Sequence, residues 1–187
     1  MMVPINFSEV LKNYPNSVFI ETGTYWGGGI FAALRANVLG AGFEKIYSIE
    51  IDRCRFEDAV KLFERNTNVI IIYGDSRVKL KEVLEEVFEP ATIFLDAHFN
   101  RGEVEYSEEC PILEELEAIK QHHIKSHTIL VDDRHSFLND LGMSGIKQKT
   151  IIRHLKNINE NYEITTDYGY IPKRTNDEII VAKEKTE

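Results

Sequence analysis

The stretch VFIETGTYWGGG, residues 18–29, joins a short apolar run to a turn that holds four of the chain's 11 glycines. An apolar run of this kind, bounded by a turn, predicts a buried strand over residues 18–20. Glycines allow a tight turn and let a ligand come close to the backbone before the next helix, which we predict over residues 29–38. The stretch therefore predicts a strand, a glycine turn and a helix, with a ligand site at the turn.

The same alternation of strand and helix continues along the chain. We predict strands over residues 46–51, 69–73, 92–95 and 128–131, and helices over residues 53–64, 76–87 and 109–121. These helices carry apolar residues at steps of three and four, with charged residues on the opposite face. Because parallel neighbours need a crossover connection, the alternation predicts a parallel sheet with helices on both faces.

The end of the chain follows a different pattern. A predicted helix over residues 147–159 leads to a strand over 162–166, the turn-rich segment YGYIPKRTND at 168–177, and a strand over 178–182. Two strands without a helix between them indicate an antiparallel hairpin. We find no internal repeat or linker, so residues 1–187 are predicted to form a single α/β domain. Its doubly wound, mostly parallel sheet would have seven strands and end in the hairpin.

The composition narrows the classes of function. The chain has 187 residues, 43% of them hydrophobic, which suits one globular domain. Its net charge of −9 is the wrong sign for neutralising a phosphate backbone, so nucleic acid is a poor candidate substrate. The two cysteines lack metal-site or disulfide spacing and are predicted to be free thiols in a reducing compartment. No stretch resembles a signal peptide or a membrane span, so we expect a cytoplasmic location and no membrane partner.

Acidic residues stand where the second and third strands are predicted to end. The second ends in SIEID, which places Glu50 and Asp52 at the sheet edge, where a carboxylate can accept hydrogen bonds from a ribose diol. The third ends in YGDS, with Asp75 and Ser76. The glycine spacing does not match G-x-G-x-x-G, so a dinucleotide site of the NAD type is disfavoured.

ETGTYWGGG, SIEID and GDS, in this order, resemble the cofactor motifs of the Rossmann-like, class I methyltransferases that use S-adenosylmethionine. The resemblance spans residues 18–182 and implies a Rossmann-like fold and S-adenosylmethionine as cofactor. It implies that Glu21 and the turn face the methionine part, that Glu50 holds the ribose, and that Asp75 or Ser76 meets the adenine. The cofactor-binding candidates are Glu21, Gly23, Thr24, Tyr25, Gly27, Glu50, Asp52, Asp75 and Ser76. The alternative is that the glycines serve only helix packing and the acids are solvated.

A second group of polar residues follows the fourth and fifth strands. FLDAHF and LVDDRH bring Asp96, His98, Asp132, Asp133 and His135 to the same edge of the predicted sheet. Three neighbouring carboxylates repel one another unless a cation or shared protons compensate, and oxygen ligands suit magnesium. We therefore predict a Mg²⁺ site there. The alternative is that one of the two adjacent aspartates caps a helix or turn while the other pairs with Arg134 or Lys147.

TIFLDAH followed by TILVDD resembles the metal-binding strand ends of catechol-type and macrolide-sugar O-methyltransferases. This narrower resemblance implies that Asp96, Asp132 and Asp133 bind the metal, which would hold the hydroxyl of a small-molecule or sugar acceptor. His98 would be the catalytic base beside Asp96, since an imidazole suits proton transfer near neutral pH. The chain departs from the catechol-type pattern, in which a lysine follows the fourth-strand acid, because DAHFNRG stands here.

Two other classes of function stay open. One is a binding protein that keeps the nucleoside pocket but catalyses no reaction, and the other is an NAD-dependent oxidoreductase. A nucleic-acid methyltransferase is disfavoured because the Asn/Asp-Pro-Pro-aromatic motif is missing after the fourth strand. The acceptor pocket would be built from the loops at 100–111 and 136–145, either of which could act as a lid. A partner chain could contribute to it, which leaves a homodimer open.

The remaining unusual residues have ordinary explanations as well. His122, His123 and His127 lie at a predicted helix end and are expected to compensate the helix dipole, far from the ligand edge. Trp26, the only tryptophan, either flanks the cofactor or packs in the core.

Overall fold

The computed structural model describes residues 7–98, 110–138, 143–168 and 178–185, which contain seven helices and seven strands that alternate as far as the fifth strand. None of the described helices is long and apolar enough to cross a membrane. In chain order the elements are α1 Phe7–Leu11, β1 Val18–Thr22, α2 Gly28–Val38, β2 Lys45–Glu50, α3 Arg53–Leu62, β3 Val69–Tyr73, α4 Ser76–Leu84, β4 Ala91–Leu95, α5 Ile112–Gln121, β5 Thr128–Val131, α6 Arg134–Leu138, α7 Gln148–Ile158, β6 Tyr162–Tyr168 and β7 Glu178–Glu184.

All seven strands form one sheet in the order β3-β2-β1-β4-β5-β7-β6. The first five strands run parallel, with β1 paired to both β2 and β4. The last two form an antiparallel hairpin, whose strand β7 inserts next to β5. The strand order reverses beside β1, which is the point where open α/β sheets bind ligands. The predicted fold class, including the terminal hairpin, is confirmed.

Each face of the sheet carries its own apolar core, because alternate residues of a strand point to opposite faces. Ile20 of β1 faces the core formed with α4, α5 and α7. Phe19, its neighbour, faces the core formed with α1 and α2. Both side chains are fully buried. The central strands thus read as continuous apolar runs because both of their faces are covered.

The structure differs from the sequence prediction mainly at the ends of elements. Strand β1 continues past its apolar run to Thr22, because Glu21 is paired on both sides, with Ser48 of β2 and Phe94 of β4. Helices α3 and α4 end earlier than predicted, at Leu62 and Leu84. The five-residue helix α6 was not predicted, since it is too short to show a helical period.

Two of the three histidines near the end of α5, His122 and His127, do not act as predicted. His127 Nδ1 accepts the N–H of Ala91, which makes its Nε2–H a donor to His122 Nδ1, 2.8 Å away. Burial lowers the pKa of His127 to about 3 and also lowers that of His122. Neutral imidazoles cannot compensate a helix dipole, so that explanation is wrong for this pair. The His122–His127 pair lies at the start of β4 and β5, which confirms that it is far from the ligand edge.

Replacing Gly23 with alanine is expected to lower the free energy of unfolding more than the same change at Gly40. Both residues have positive φ, 85° and 98°, so alanine adds backbone strain of about 1–2 kcal/mol at either position. At Gly23 the new Cβ would also lie 2.5 Å from the carbonyl oxygen of Asp96, whereas at Gly40 it would meet nothing within 4 Å. We expect Gly23→Ala to cost at least about 3 kcal/mol in all.

Urea unfolding of the two variants and the unchanged protein measures this difference. Equal losses in the two variants would show that the close approach of the β1 turn to β4 does not constrain the fold.

Candidate functional site

The candidate site lies at the carboxyl ends of the parallel strands, where backbone hydrogen bonds continue past each strand. Gly23 N–H donates to the carbonyl of Ile49 at 2.9 Å, and Asp96 N–H donates to the carbonyl of Thr22 at 3.2 Å. Asp132 N–H donates in the same way to Leu95 at 3.1 Å. The segments after β1, β4 and β5 are therefore held next to one another. This is the grouping that the sequence predicts for the residues of the site.

The glycine turn between β1 and α2 is built from residues with positive φ. Gly23, Tyr25 and Gly27 have φ values of 85°, 49° and 76°, and Gly27 N–H donates to Thr24 O at 2.8 Å. The first turn of α2 packs directly on Glu21, because a Cβ at Gly29 would lie 1.5 Å from Glu21 Oε1. A glycine at this position lets the Glu21 carboxyl reach the helix N-terminus.

Glu21 is buried at the centre of the site, with 1% of its surface exposed. Its Oε2 accepts the hydroxyl of Ser48 at 2.6 Å, and that hydroxyl lies 2.6 Å from Thr24 Oγ1. Burial raises the pKa of Glu21 to about 8, which outweighs the opposing effect of Ser48, and the charge of Glu50 raises it further. Glu21 therefore holds a proton at neutral pH until a cation or another donor approaches it.

Glu50 ends β2 and is held from two sides by backbone donors. Its Oε2 accepts the N–H of Tyr25 at 2.7 Å, and its Oε1 accepts the N–H of Asp52 at 2.8 Å. Burial raises the pKa of Glu50, and these two donors and Arg55 counter part of that effect. A carboxylate oxygen can accept two hydrogen bonds, so each oxygen keeps one position for a diol hydroxyl.

Asp52 and Asp75 have a structural role that the sequence analysis did not assign to them. Asp52 caps α3 by accepting the N–H of Arg55 at 2.9 Å. Asp75 caps α4 by accepting the N–H of Arg77 at 2.9 Å, and it also pairs with the guanidinium of Arg77 at 2.6 Å. The Arg77 side chain lowers the pKa of Asp75. Cofactor binding by these aspartates and by Ser76 stays a prediction.

Glu115 is a buried acid that the sequence analysis missed. It lies on α5 with none of its surface exposed, and within the described part of the chain neither carboxyl oxygen has a partner at standard hydrogen-bond geometry. Burial raises its pKa to about 7, and the nearby hydroxyls of Ser76 and Thr22 oppose that shift. The sequence could have indicated this burial, since Glu115 follows the buried Ile112 by one helical turn and so lies on the same face of α5.

Asp96, Asp132 and Asp133 gather at the ends of β4 and β5, as predicted. Burial raises the pKa of Asp96 well above its usual range, and the neighbouring charges of Asp132 and Asp133 add to the effect. The neighbouring Asp132 carboxyl thus adds to burial in favouring the protonated form of Asp96. Among the residues described, no three His, Cys, Asp or Glu side chains are arranged to hold a metal ion. The oxygen donors suit Mg²⁺ in kind, and Mg²⁺ binding stays a prediction.

His98, the predicted base, has protein groups at both ring nitrogens. Nε2 lies 3.3 Å from the carbonyl oxygen of Asp132, and Nδ1 lies 3.9 Å from Cys110 Sγ. Burial lowers the pKa of His98 and raises that of Cys110 to about 12, so the imidazole is neutral and the thiol protonated at pH 7. A carbonyl can only accept, so Nε2 carries the hydrogen and Nδ1 is the acceptor. The catalytic role of His98 stays a prediction.

Trp26 has 61% of its surface exposed, so of its two predicted alternatives core packing is wrong, and contact with the cofactor stays a prediction. Both cysteines, Cys54 and Cys110, are free thiols as predicted. The loop at 100–111 lies largely outside the described residues, and so do residues 139–142 of the loop at 136–145 and most of the segment 168–177.

The protein-family models and the curated proteins compared with this sequence give no match. Solved structures do. A provisionally assigned methyltransferase from Streptococcus mutans, in complex with S-adenosylhomocysteine (SAH), is 11% identical with a TM-score of 0.62, covering 96% of each chain. An O-methyltransferase from Bacillus cereus, also with SAH, is 15% identical with a TM-score of 0.62, covering 98% of this chain and 84% of that one. A provisionally assigned rRNA methylase from Clostridium thermocellum is 13% identical with a TM-score of 0.60, covering 96% and 95%.

At these identities the likeness concerns the fold rather than the acceptor or the reaction. The matches extend over nearly the whole chain. This chain therefore has the Rossmann-like α/β fold of the S-adenosylmethionine-dependent methyltransferases.

Proposed function

We propose that this protein is a methyltransferase that uses S-adenosylmethionine. The observation that carries the proposal is the carboxylate of Glu50, held by the backbone N–H groups of Tyr25 and Asp52, one at each oxygen. Each carboxylate oxygen can accept a second hydrogen bond, which suits a ribose diol. It stands beside a glycine turn at the point where the strand order reverses, the usual place for a nucleoside in such sheets. Two of the proteins with this fold described above were solved with SAH bound.

Different residues at the carboxyl ends of the strands suit different parts of this cofactor. Glu50 would accept the ribose hydroxyls, while Glu21 and the turn would face the methionine part. When bound, the cofactor supplies a methyl group on a positively charged sulfur. A buried acid such as Glu21 favours a cationic ligand because ionisation is then compensated. Methyl transfer needs mainly alignment of the two reactants, which the rigid strand ends can provide.

We further propose that the acceptor is a hydroxyl group of a small molecule or sugar. The acidic edge formed by Asp96, Asp132 and Asp133 supports this part, together with the O-methyltransferase among the similar folds. The net charge of −9 disfavours RNA as acceptor, although one protein of similar fold is provisionally assigned as an rRNA methylase. His98 would take the hydroxyl proton at Nδ1 only if the Cys110 thiol turned away from that nitrogen.

Magnesium assistance is the third part of the proposal. Asp96, Asp132 and Asp133 would hold the ion, which would lower the pKa of the acceptor hydroxyl. In the described residues these side chains are not arranged around a cation, and the raised pKa of Asp96 means that the ion would have to displace a proton from that carboxyl.

A non-catalytic binding protein is the second candidate function. Both ring nitrogens of His98 face protein groups, and this engagement of the predicted base favours a site that binds a nucleoside without turning it over. The two candidates share cofactor binding and differ only in methyl transfer to an acceptor.

Replacing Glu50 with alanine is expected to weaken SAH binding by at least about tenfold to a hundredfold, because the loss of even one hydrogen bond to a charged group costs about 1.5–3 kcal/mol. Isothermal titration calorimetry measures the change. The control is Asp58→Ala, which removes an exposed carboxylate from α3 and should leave the affinity unchanged. The proposal fails if the unchanged protein does not bind SAH at millimolar concentration.

Magnesium binding is expected to release a proton and to strengthen as the pH rises. Because the pKa of Asp96 is raised, the ion must displace a proton from that carboxyl, and deprotonation becomes easier at higher pH. Mn²⁺ titration followed by electron paramagnetic resonance, at pH 6 and pH 8, measures this affinity. Asp132→Asn should abolish binding, whereas Glu57→Gln, on the exposed side of α3, should not. Absence of saturable binding at both pH values would remove the metal from the proposal and leave the cofactor part intact.

A further inference from the structure

A cluster of two aromatic side chains and an arginine lies next to Glu50, and the proposed function does not use it. The guanidinium of Arg55 lies 4.3 Å from the ring centre of Tyr25 and 5.7 Å from that of Trp26. The two rings meet edge to face, with centroids 5.6 Å apart. Tyr25 and Trp26 belong to the glycine turn after β1, whereas Arg55 belongs to α3, after β2. The cluster therefore joins the two segments that flank Glu50.

The backbone of Tyr25 adopts an unfavourable conformation for a residue with a side chain. Its φ is 49°, in the left-handed region, which costs about 1–2 kcal/mol for a residue other than glycine. That conformation directs the Tyr25 N–H at Glu50 Oε2, 2.7 Å away. Such strain persists only where the surroundings hold the residue in place. The planar guanidinium of Arg55 on the Tyr25 ring is a contact that does so.

Arg55 is itself fixed from the other side of Glu50. The backbone N–H of Arg55 donates to the capping carboxylate of Asp52 at 2.9 Å, and the backbone N–H of Asp52 donates to Glu50 Oε1 at 2.8 Å. The charge of Arg55 also counters part of the burial effect that raises the pKa of Glu50. A closed set of contacts thus runs from Glu50 to Tyr25, then to Arg55, to Asp52 and back to Glu50.

We propose that Arg55 is a positioning residue for ribose recognition: by stacking on Tyr25 it keeps the Tyr25 N–H on Glu50 and so orients the carboxylate toward a ribose diol. The inference rests on the proposed function to the extent that the ligand carries an adenosine. Arg55 need not touch the ligand, because it acts through Tyr25 and Glu50. Its effect should therefore depend on both hydroxyls of the diol.

The test compares Arg55→Ala with a matched control, Arg53→Ala. Arg53 lies on the same helix turn and carries the same charge, but its side chain is 76% exposed and pairs with Glu57 instead of an aromatic ring. Affinities for SAH are measured by calorimetry, and those for adenosine and 2′-deoxyadenosine by competition with SAH. We expect Arg55→Ala to weaken SAH and adenosine by about threefold to tenfold, the range of a partly exposed cation–π contact. It should weaken 2′-deoxyadenosine by clearly less, and Arg53→Ala should change none of the three by as much as twofold.

Two outcomes would overturn the inference. One is an equal effect of Arg55→Ala and Arg53→Ala, which would reduce Arg55 to a charge effect. The other is an equal loss for adenosine and 2′-deoxyadenosine, which would show that Arg55 does not act through the diol. Failure of the unchanged protein to bind SAH would instead count against the proposed function, so the two failures are distinguishable.

Trp26 supplies a second measurement, because it is the only tryptophan in the chain. Loss of the nearby guanidinium should shift its fluorescence emission in Arg55→Ala and not in Arg53→Ala, while a melting curve verifies that both variants are folded. If Arg55→Ala does not fold, Arg55→Lys replaces it. Lysine keeps the charge and lacks the planar face, so the same preferential loss of adenosine affinity is expected at a smaller size. Full adenosine affinity together with unshifted fluorescence in Arg55→Lys would contradict the stacking role.

Discussion

The close parallel pairing of β1 with β2 and β4 is the constraint on which the rest of the molecule depends. Strand β1 is buried along its whole length, and its backbone bonds to a neighbour on each side. Pairing continues past Thr22, so Gly23 approaches the carbonyl of Asp96 too closely for any side chain. The turn after β1 and the end of β4 are thus brought to one place. The glycine turn, the buried carboxylates and the start of α2 all take their positions from this contact.

The same constraint concentrates acidic groups at one edge of the sheet. Glu21, Glu50, Asp96 and Glu115 all have raised pKa values, chiefly because burial disfavours their charged forms. Without a cationic ligand, protonation of these acids supplies the compensation, as the raised pKa of Asp96 indicates. Such an edge favours ligands that bring positive charge or hydrogen-bond donors. A sulfonium cofactor with a ribose diol has both properties, and a divalent cation has the first.

Much of the fold and part of the site could be predicted from the sequence because those features are local. The apolar run before Glu21 and the alternating elements after it specify strands and helices through their own periodicity. Residues at strand ends meet at one edge in any parallel sheet, so Glu50 and Asp96 could be grouped before any distance was known. Helix α6 was not predicted because five residues are too few to show a helical period. The burial of Glu115 was not predicted because an acid in the first turn of a helix is usually solvated.

The sequence by itself determined the succession of strands and helices, the terminal hairpin and the edge at which the polar residues collect. Only the tertiary structure decided which of these residues are engaged and by what. In the folded chain both ring nitrogens of His98 contact protein groups, Asp75 pairs with Arg77, and the guanidinium of Arg55 lies over the ring of Tyr25. The physical reason is range. Periodicity and turn chemistry act within about ten residues, whereas hydrogen bonds and ring contacts depend on ångström distances between segments far apart in the chain, which crossover connections and core packing set.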